Sequence, residues 1–167
     1  MRYAAVAVFI ATLIAGAVEA HEVTVKGLQI VHPYVRATPK GMAVTAGYVK
    51  ITNTGKDADR LIGASMAGAE KAELHTTLME DGIAKMRPLT GGLAIAPGET
   101  VELKTSGAHI MFTGLTKSLS EDTYIDGTLV FEKAGTVAIE YAVAPLAGGD
   151  KAGTGPKAGT EHEHHHH

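Results

Sequence analysis

Four side chains between Glu73 and Leu115 have the types and spacing to hold a soft metal ion: His75, Met86, His109 and Met111. His109 and Met111 stand two apart in AHIMFTGL, whose apolar, β-branched and aromatic content predicts a strand. Side chains at i and i+2 of a strand share one face, so an imidazole and a thioether project together. His75 lies in AELHTTL, an equally strand-like segment, and Met86 follows the turn signal Glu80-Asp81-Gly82, which folds its segment back as a hairpin. Two imidazoles and two thioethers without cysteine suit Cu(I), whereas Zn(II), Mg(II) and Ca(II) prefer harder or anionic ligands. Taken singly, each of the four is an ordinary packing residue; their combination carries the inference. Met42 and Met79 are assigned to core or loop packing, with a supporting thioether role as the alternative, and His32, before Pro33, to a loop.

The elements that must position these residues are short strands. Residues 23–31, 44–52, 61–64, 72–77, 83–88, 101–104, 110–115, 128–131 and 136–143 are β-prone runs. Turn chemistry separates them at Pro39-Lys40-Gly41, Asn53-Thr54-Gly55, Asp81-Gly82, Ala96-Pro97-Gly98, Ser106-Gly107 and Ala134-Gly135. This spacing predicts an all-β Greek-key sandwich or barrel over residues 21–146. GAEKAELH, residues 68–75, reads as a helical turn ahead of a strand.

The two ends carry other signals. Met1-Arg2 is a short basic region, residues 3–14 are almost wholly apolar, and Val18-Glu19-Ala20 is a small-x-small site, the pattern of a signal peptide cleaved after Ala20. The apolar run is short for a membrane span, and no later stretch approaches one. With no cysteine, no lipoprotein anchor is expected, and disulfides, blue copper, dinuclear copper thiolate and CxxC chemistry are excluded. The expected product is a soluble, exported, most simply periplasmic protein of 147 residues with net charge −3, and nothing in that charge argues for nucleic acid or an anionic membrane as partner. A single domain and a monomer are expected. Residues 147–167 turn rich in Gly, Lys, Ala, Pro and Thr, read as a disordered linker, and end in a run containing His162, His164, His165, His166 and His167. Clustered imidazoles on such a segment suit Cu(II), Ni(II) or Zn(II), if the run is native and not a purification tag.

The spacing His75, ten residues, Met86, twenty-two residues, His109-Ile-Met111 closely resembles the signature of the PCu(A)C family of periplasmic copper chaperones. The longer gap holds one residue more than the family pattern, placed around Thr90-Gly91-Gly92. The resemblance extends to His32-Pro33-Tyr34-Val35-Arg36-Ala37-Thr38, with Tyr34 where Trp is commoner, and to residues 46–53, Met86-Arg87-Pro88 and residues 97–103. Thr76 replaces a frequent Met, and Thr105-Ser106-Gly107 a common Pro-Gly-Gly; neither change removes one of the four ligands.

The resemblance implies a cupredoxin-like β-sandwich with an exposed Cu(I) site at one end, acting as a copper chaperone with no reaction of its own. It implies delivery to the dinuclear copper centre of cytochrome oxidase subunit II, directly or through a Sco-type thiol protein. Two other readings make distinct predictions. A divalent-metal buffer acting through the His tail would lose all metal binding on removal of residues 147–167. A copper oxidative enzyme using His21 as the mature N-terminus would lose oxidant consumption when the N-terminus is extended.

Overall fold

A computed structural model describes residues 22–146. The signal-like segment, His21 and the His-rich end lie outside the described residues. Among those described there are eleven strands and no helix. In chain order they are β1 (Glu22–Val25), β2 (Leu28–Arg36), β3 (Val44–Asn53), β4 (Asp59–Met66), β5 (Lys71–Glu80), β6 (Ile83–Pro88), β7 (Leu93–Ile95), β8 (Thr100–Leu103), β9 (Ala108–Thr113), β10 (Tyr124–Phe131) and β11 (Gly135–Ala144). The strands hydrogen-bond in the order β6-β5-β9-β3-β2-β11-β10-β4-β7, with β1 beside β2 and β8 beside β3. All pairings are antiparallel except β11 with β2. The all-β class expected from the strand and turn pattern is the class observed.

Alternation decides which face each strand buries. In β3, Thr45, Gly47, Val49, Ile51 and Asn53 are buried; in β11, Val137, Ile139, Tyr141 and Val143 are buried. Period-two burial of this kind is what a sheet with one solvated face requires. Val49, Ile51, Val137, Ile139, Tyr141 and Val143 meet Leu28, Ile30, Val35, Leu61, Leu74, Ile95, Ile110, Phe112, Leu129 and Phe131 in a single apolar core.

Local expectation and structure differ at four places. The run 23–31 is a hairpin, because Lys26 and Gly27 both take positive φ (47° and 81°) in a two-residue turn between Val25 and Leu28. His32 is in a strand, not a loop: β2 passes through a bulge at His32-Pro33 and continues to Arg36. Proline has no N–H to give a ladder, and a bulge is where a strand tolerates that. On that side β2 changes partner across the bulge, from β1 up to Val31 to β11 from Tyr34. Residues 68–75 form no helical turn; Gly68 (φ 83°) turns the chain and β5 starts at Lys71, since pairing with β9 outweighs the helix preference of Ala, Glu and Lys. Finally, β7 is three residues long, too short to read from pattern, and is held by pairing with β4 and by buried Ile95.

One polar group is built into the packing. Asp59 accepts from the backbone N–H groups of Arg60 (2.7 Å), Lys133 (2.9 Å) and Ala134 (2.9 Å), tying the start of β4 to the β10–β11 turn. Burial alone would raise this carboxyl, but the bonds from Lys133, Arg60 and Ala134, with the charge of Lys133, outweigh it and hold the group below its usual value. Such a group stabilises the fold fully above its unfolded pKa and loses that contribution as pH falls through the lower folded value. Asp59→Ala is expected to cost about 1.5–3 kcal/mol at pH 7, the range for hydrogen bonds to a charged group. Denaturant unfolding of both proteins at pH 7 and pH 3 should show that deficit narrowing in acid.

Candidate metal centre

The register brings His75 and His109 together. They are directly opposed on β5 and β9, although 33 residues lie between them in the chain. Opposed residues of a sheet share a face, and here it is the face away from the apolar core, because Leu74, Ile110 and Phe112 occupy the other. Met111, two residues beyond His109, stands opposite Glu73 on the same outer face. Met86, opposite Thr77, is on that face too, one diagonal step from His75 across the β5–β6 pair. Pro88 is the residue directly opposite His75.

The two methionines are therefore on opposite sides of the histidine pair, Met111 towards Glu73 and Met86 towards the hairpin turn. The structure places three of the four residues on two neighbouring strands and the fourth on an edge strand, every residue of which is exposed.

Hydrogen bonding fixes one of the two imidazoles. The rings of His75 and His109 have centroids 6.0 Å apart at 53°. Metal–imidazole bonds of about 2.0–2.1 Å leave room for one ion between rings at this separation. Nδ1 of His109 is 3.1 Å from the Gly107 carbonyl, which also accepts the Thr77 N–H at 3.1 Å. A carbonyl only accepts, so Nδ1 carries the proton and Nε2 keeps its lone pair, the tautomer a metal ligand needs. His109 is 4 % exposed, and its ring is already oriented. Nδ1 of His75 is buried without a hydrogen-bond partner, a cost that ligation at this ring would offset. Among the described residues, no three His, Cys, Asp or Glu side chains gather where they could hold a metal ion. The other donors on this face of the sheet are the thioethers of Met111 and Met86, a side-chain type that suits a soft ion. Glu73, though close, is committed elsewhere: Lys71 bonds it at 2.9 Å and holds its carboxyl below the usual range.

The chain builds this corner by an excursion. β8 and β9 both pair with β3, Leu103 facing Val49 and Ile110 facing Gly47. Residues 104–107 are looped out between them in a turn closed by Gly107 N–H to Lys104 O (3.0 Å). This frees Ala108 and His109 from β3 and leaves them pairing with β5 alone. The continuation of the row on β3 and β2 is aromatic. Tyr48 is the next residue along from Gly47, on the outer face, and is opposed to Tyr34, with ring centroids 4.9 Å apart. The Arg36 guanidinium lies over both rings at 5.5 and 5.8 Å. No spacing rule in the sequence links Tyr48 to His109; only β3–β9 pairing does.

Residues 28–143 match the family described as "Putative lipoprotein LpqE-like". The chain belongs to the LpqE-like family. Among curated relatives, the "Putative lipoprotein Lxx21020" of Leifsonia xyli subsp. xyli (strain CTCB07) is 31% identical over 125 residues, 75% of this chain and 74% of that protein. Similar solved structures include the copper-bound PCuAC domain from PmoF2, at 28% identity and a TM-score of 0.63, covering 75% of this chain and 98% of that one. The apo PCuAC domain from PmoF1 matches at 27% identity and a TM-score of 0.64, covering 75% and 99%. The Cu(I) form of DR1885 from Deinococcus radiodurans matches at 27% and 0.57, covering 78% of this chain and 85% of that one. This LpqE-like protein accordingly has the PCu(A)C-type, cupredoxin-like β fold. No helix among its described residues is long and apolar enough to cross a membrane.

Proposed function

We propose that this protein is an exported copper carrier that binds Cu(I) between His75 and His109, completes the site with the thioethers of Met111 and Met86, and performs no reaction of its own. The observation that carries the reading is the direct opposition of the two imidazoles, with His109 locked by the Gly107 carbonyl in a ligating tautomer. The copper-bound and Cu(I) forms of the structural relatives support copper as the ion. Neutral ligands impose no charge on the ion, and thioethers favour the reduced state. Recessed imidazoles hold the ion, while the exposed Met86 is the ligand that an incoming thiolate displaces first. Copper then passes by stepwise ligand exchange to an acceptor such as cytochrome oxidase subunit II or a Sco-type thiol protein.

In this reading residues 1–20 are a signal peptide removed on export to the periplasm, residues 21–146 are the copper-binding domain, and the His-rich end, His162 and His164 to His167, gathers Cu(II). The mature protein, with and without residues 147–167, should be titrated with Cu(I) against a chromophoric Cu(I) chelator. One competitive equivalent that survives removal of the tail and disappears in the Met86→Ala, Met111→Ala double variant is the expected result. Absence of any competitive equivalent in the tail-free protein would sink the proposal.

A further inference from the structure

Met79 was expected to pack into core or loop, and it does neither: it is 69 % exposed, the most exposed large apolar side chain among the described residues. Its position in the register is informative. Met79 faces Ala84 and Thr77 faces Met86, so Met79 and Met86 are on one face of the hairpin, the face that also carries His75. Met79 stands one diagonal step from Met86, and Met86 one such step from His75, each about 7–8 Å between Cα atoms. Five soft or borderline donors thus follow one path across the sheet: Met111, His109, His75, Met86 and Met79. Exposure rises along its outer half, from 4 % at His109 through 51 % at Met86 to 69 % at Met79.

The ribbon that bears the last two extends beyond the β9 ladder and is tied to the neighbouring loop at its base, where Thr77 N–H donates to the Gly107 carbonyl at 3.1 Å. Pairing of β5 with β9 stops at Thr76, and the segment beyond is closed by a tight turn at Asp81 and Gly82 (φ 52° and 77°). Its charges are turned to the other face, where Lys85 and Arg87 are bound by Glu80 at 2.8 and 3.3 Å. The outer face of the ribbon presents Thr77, Met79, Ala84 and Met86, with no cation to repel an incoming one.

We infer that Met79 and Met86 form a second, outer site for a soft monovalent cation, the point at which Cu(I) joins and leaves the His75–His109 centre. The inference rests on the function proposed above and adds a route to it. At each step one thioether or imidazole bond forms as another breaks, and copper stays Cu(I) throughout, so no oxidant or reductant is needed. Met86 is shared: it is the outermost ligand of the inner centre and the innermost ligand of the outer site.

The test is a titration of the mature protein, labelled with carbon-13 at its methionine methyls, with Ag(I) as a redox-inert probe of Cu(I) chemistry. The first equivalent should shift the Met86 and Met111 methyls. Further Ag(I) should shift Met79 and move Met86 again, while buried Met66 stays still as an internal reference. Met79→Leu, which keeps the volume and removes the sulfur, should abolish the second step and slow removal of bound Cu(I) by an external chelator several-fold. Met42→Leu should change neither. A Met79 methyl unmoved to saturation, with an unaltered removal rate in Met79→Leu, would overturn the outer site and leave the inner centre standing. No response of Met86 and Met111 to the first equivalent would overturn both.

Discussion

Replacing His109 with Ala is expected to weaken Cu(I) binding by at least about 100-fold, because loss of a ligand should exceed the roughly 10–100-fold cost of disturbing groups that merely orient one. His109 should be the most sensitive of the four positions. Its ring is buried and its Nδ1 proton is committed to Gly107, so it loses little freedom when it ligates. Met86 is half exposed on an edge strand, and immobilising such a side chain costs about 0.5–1.5 kcal/mol; its truncation should therefore lose less affinity. His75 and Met111, partly buried, should fall between them. His32→Ala is the control: that imidazole is exposed at the β2 bulge, outside the His75–His109 row, and its loss should leave binding unchanged. Chelator competition gives the affinities, and a thermal melt of each variant establishes that it is folded. If His109→Ala binds as tightly as the parent, the ion is not held at this row.

The second large effect concerns the packing that holds β9 in place. Phe112 and Tyr141 meet edge to face across the core, with ring centroids 5.4 Å apart. Each ring also lies against a glycine: a Cβ added at Gly47 would stand 2.6 Å from Phe112, and one added at Gly127 would stand 2.4 Å from Tyr141 and 2.4 Å from the Ser65 carbonyl. Two buried aromatics fit between the strands only because those two positions lack side chains. Gly127→Ala offers no retreat, since one obstacle is backbone and the other is a ring already backed by Phe112. Overpacking of this kind costs about 1–3 kcal/mol and occasionally more. Gly63→Ala is the matched comparison within a strand: its nearest neighbour, Val130, would be at an ordinary 3.7 Å. With no clash, removing the glycine's unfolded-state freedom should leave stability unchanged or raise it by about 0.4–1 kcal/mol. Denaturant unfolding of the two variants should separate them clearly. Equal stabilities would mean that Tyr141 can move, and that the Phe112–Tyr141 pair does not hold β9 as described.

Much of this protein is written in local pattern. The apolar alternation in 44–52 and 136–143 specifies strands and which residues they bury, because a period of two is a property of the backbone alone. The Asp81-Gly82 pair specifies a tight turn, because both positions need positive φ. The chemistry of the four donors is likewise local: thioether and imidazole are soft or borderline wherever they are placed. Pairing was not legible. That His75 faces His109, that Tyr48 continues their row, that Met79 follows Met86 outwards and that Tyr141 needs Gly127 all depend on which strands lie side by side and in what register. Register arises from contacts between residues far apart in the chain, and a slip of one residue would turn every side chain of a strand to the other face. The sequence by itself thus determined the class of fold and the kind of ion that its donors would suit. The tertiary structure alone decided which donors meet, how deeply each is buried and from which side an ion can reach them.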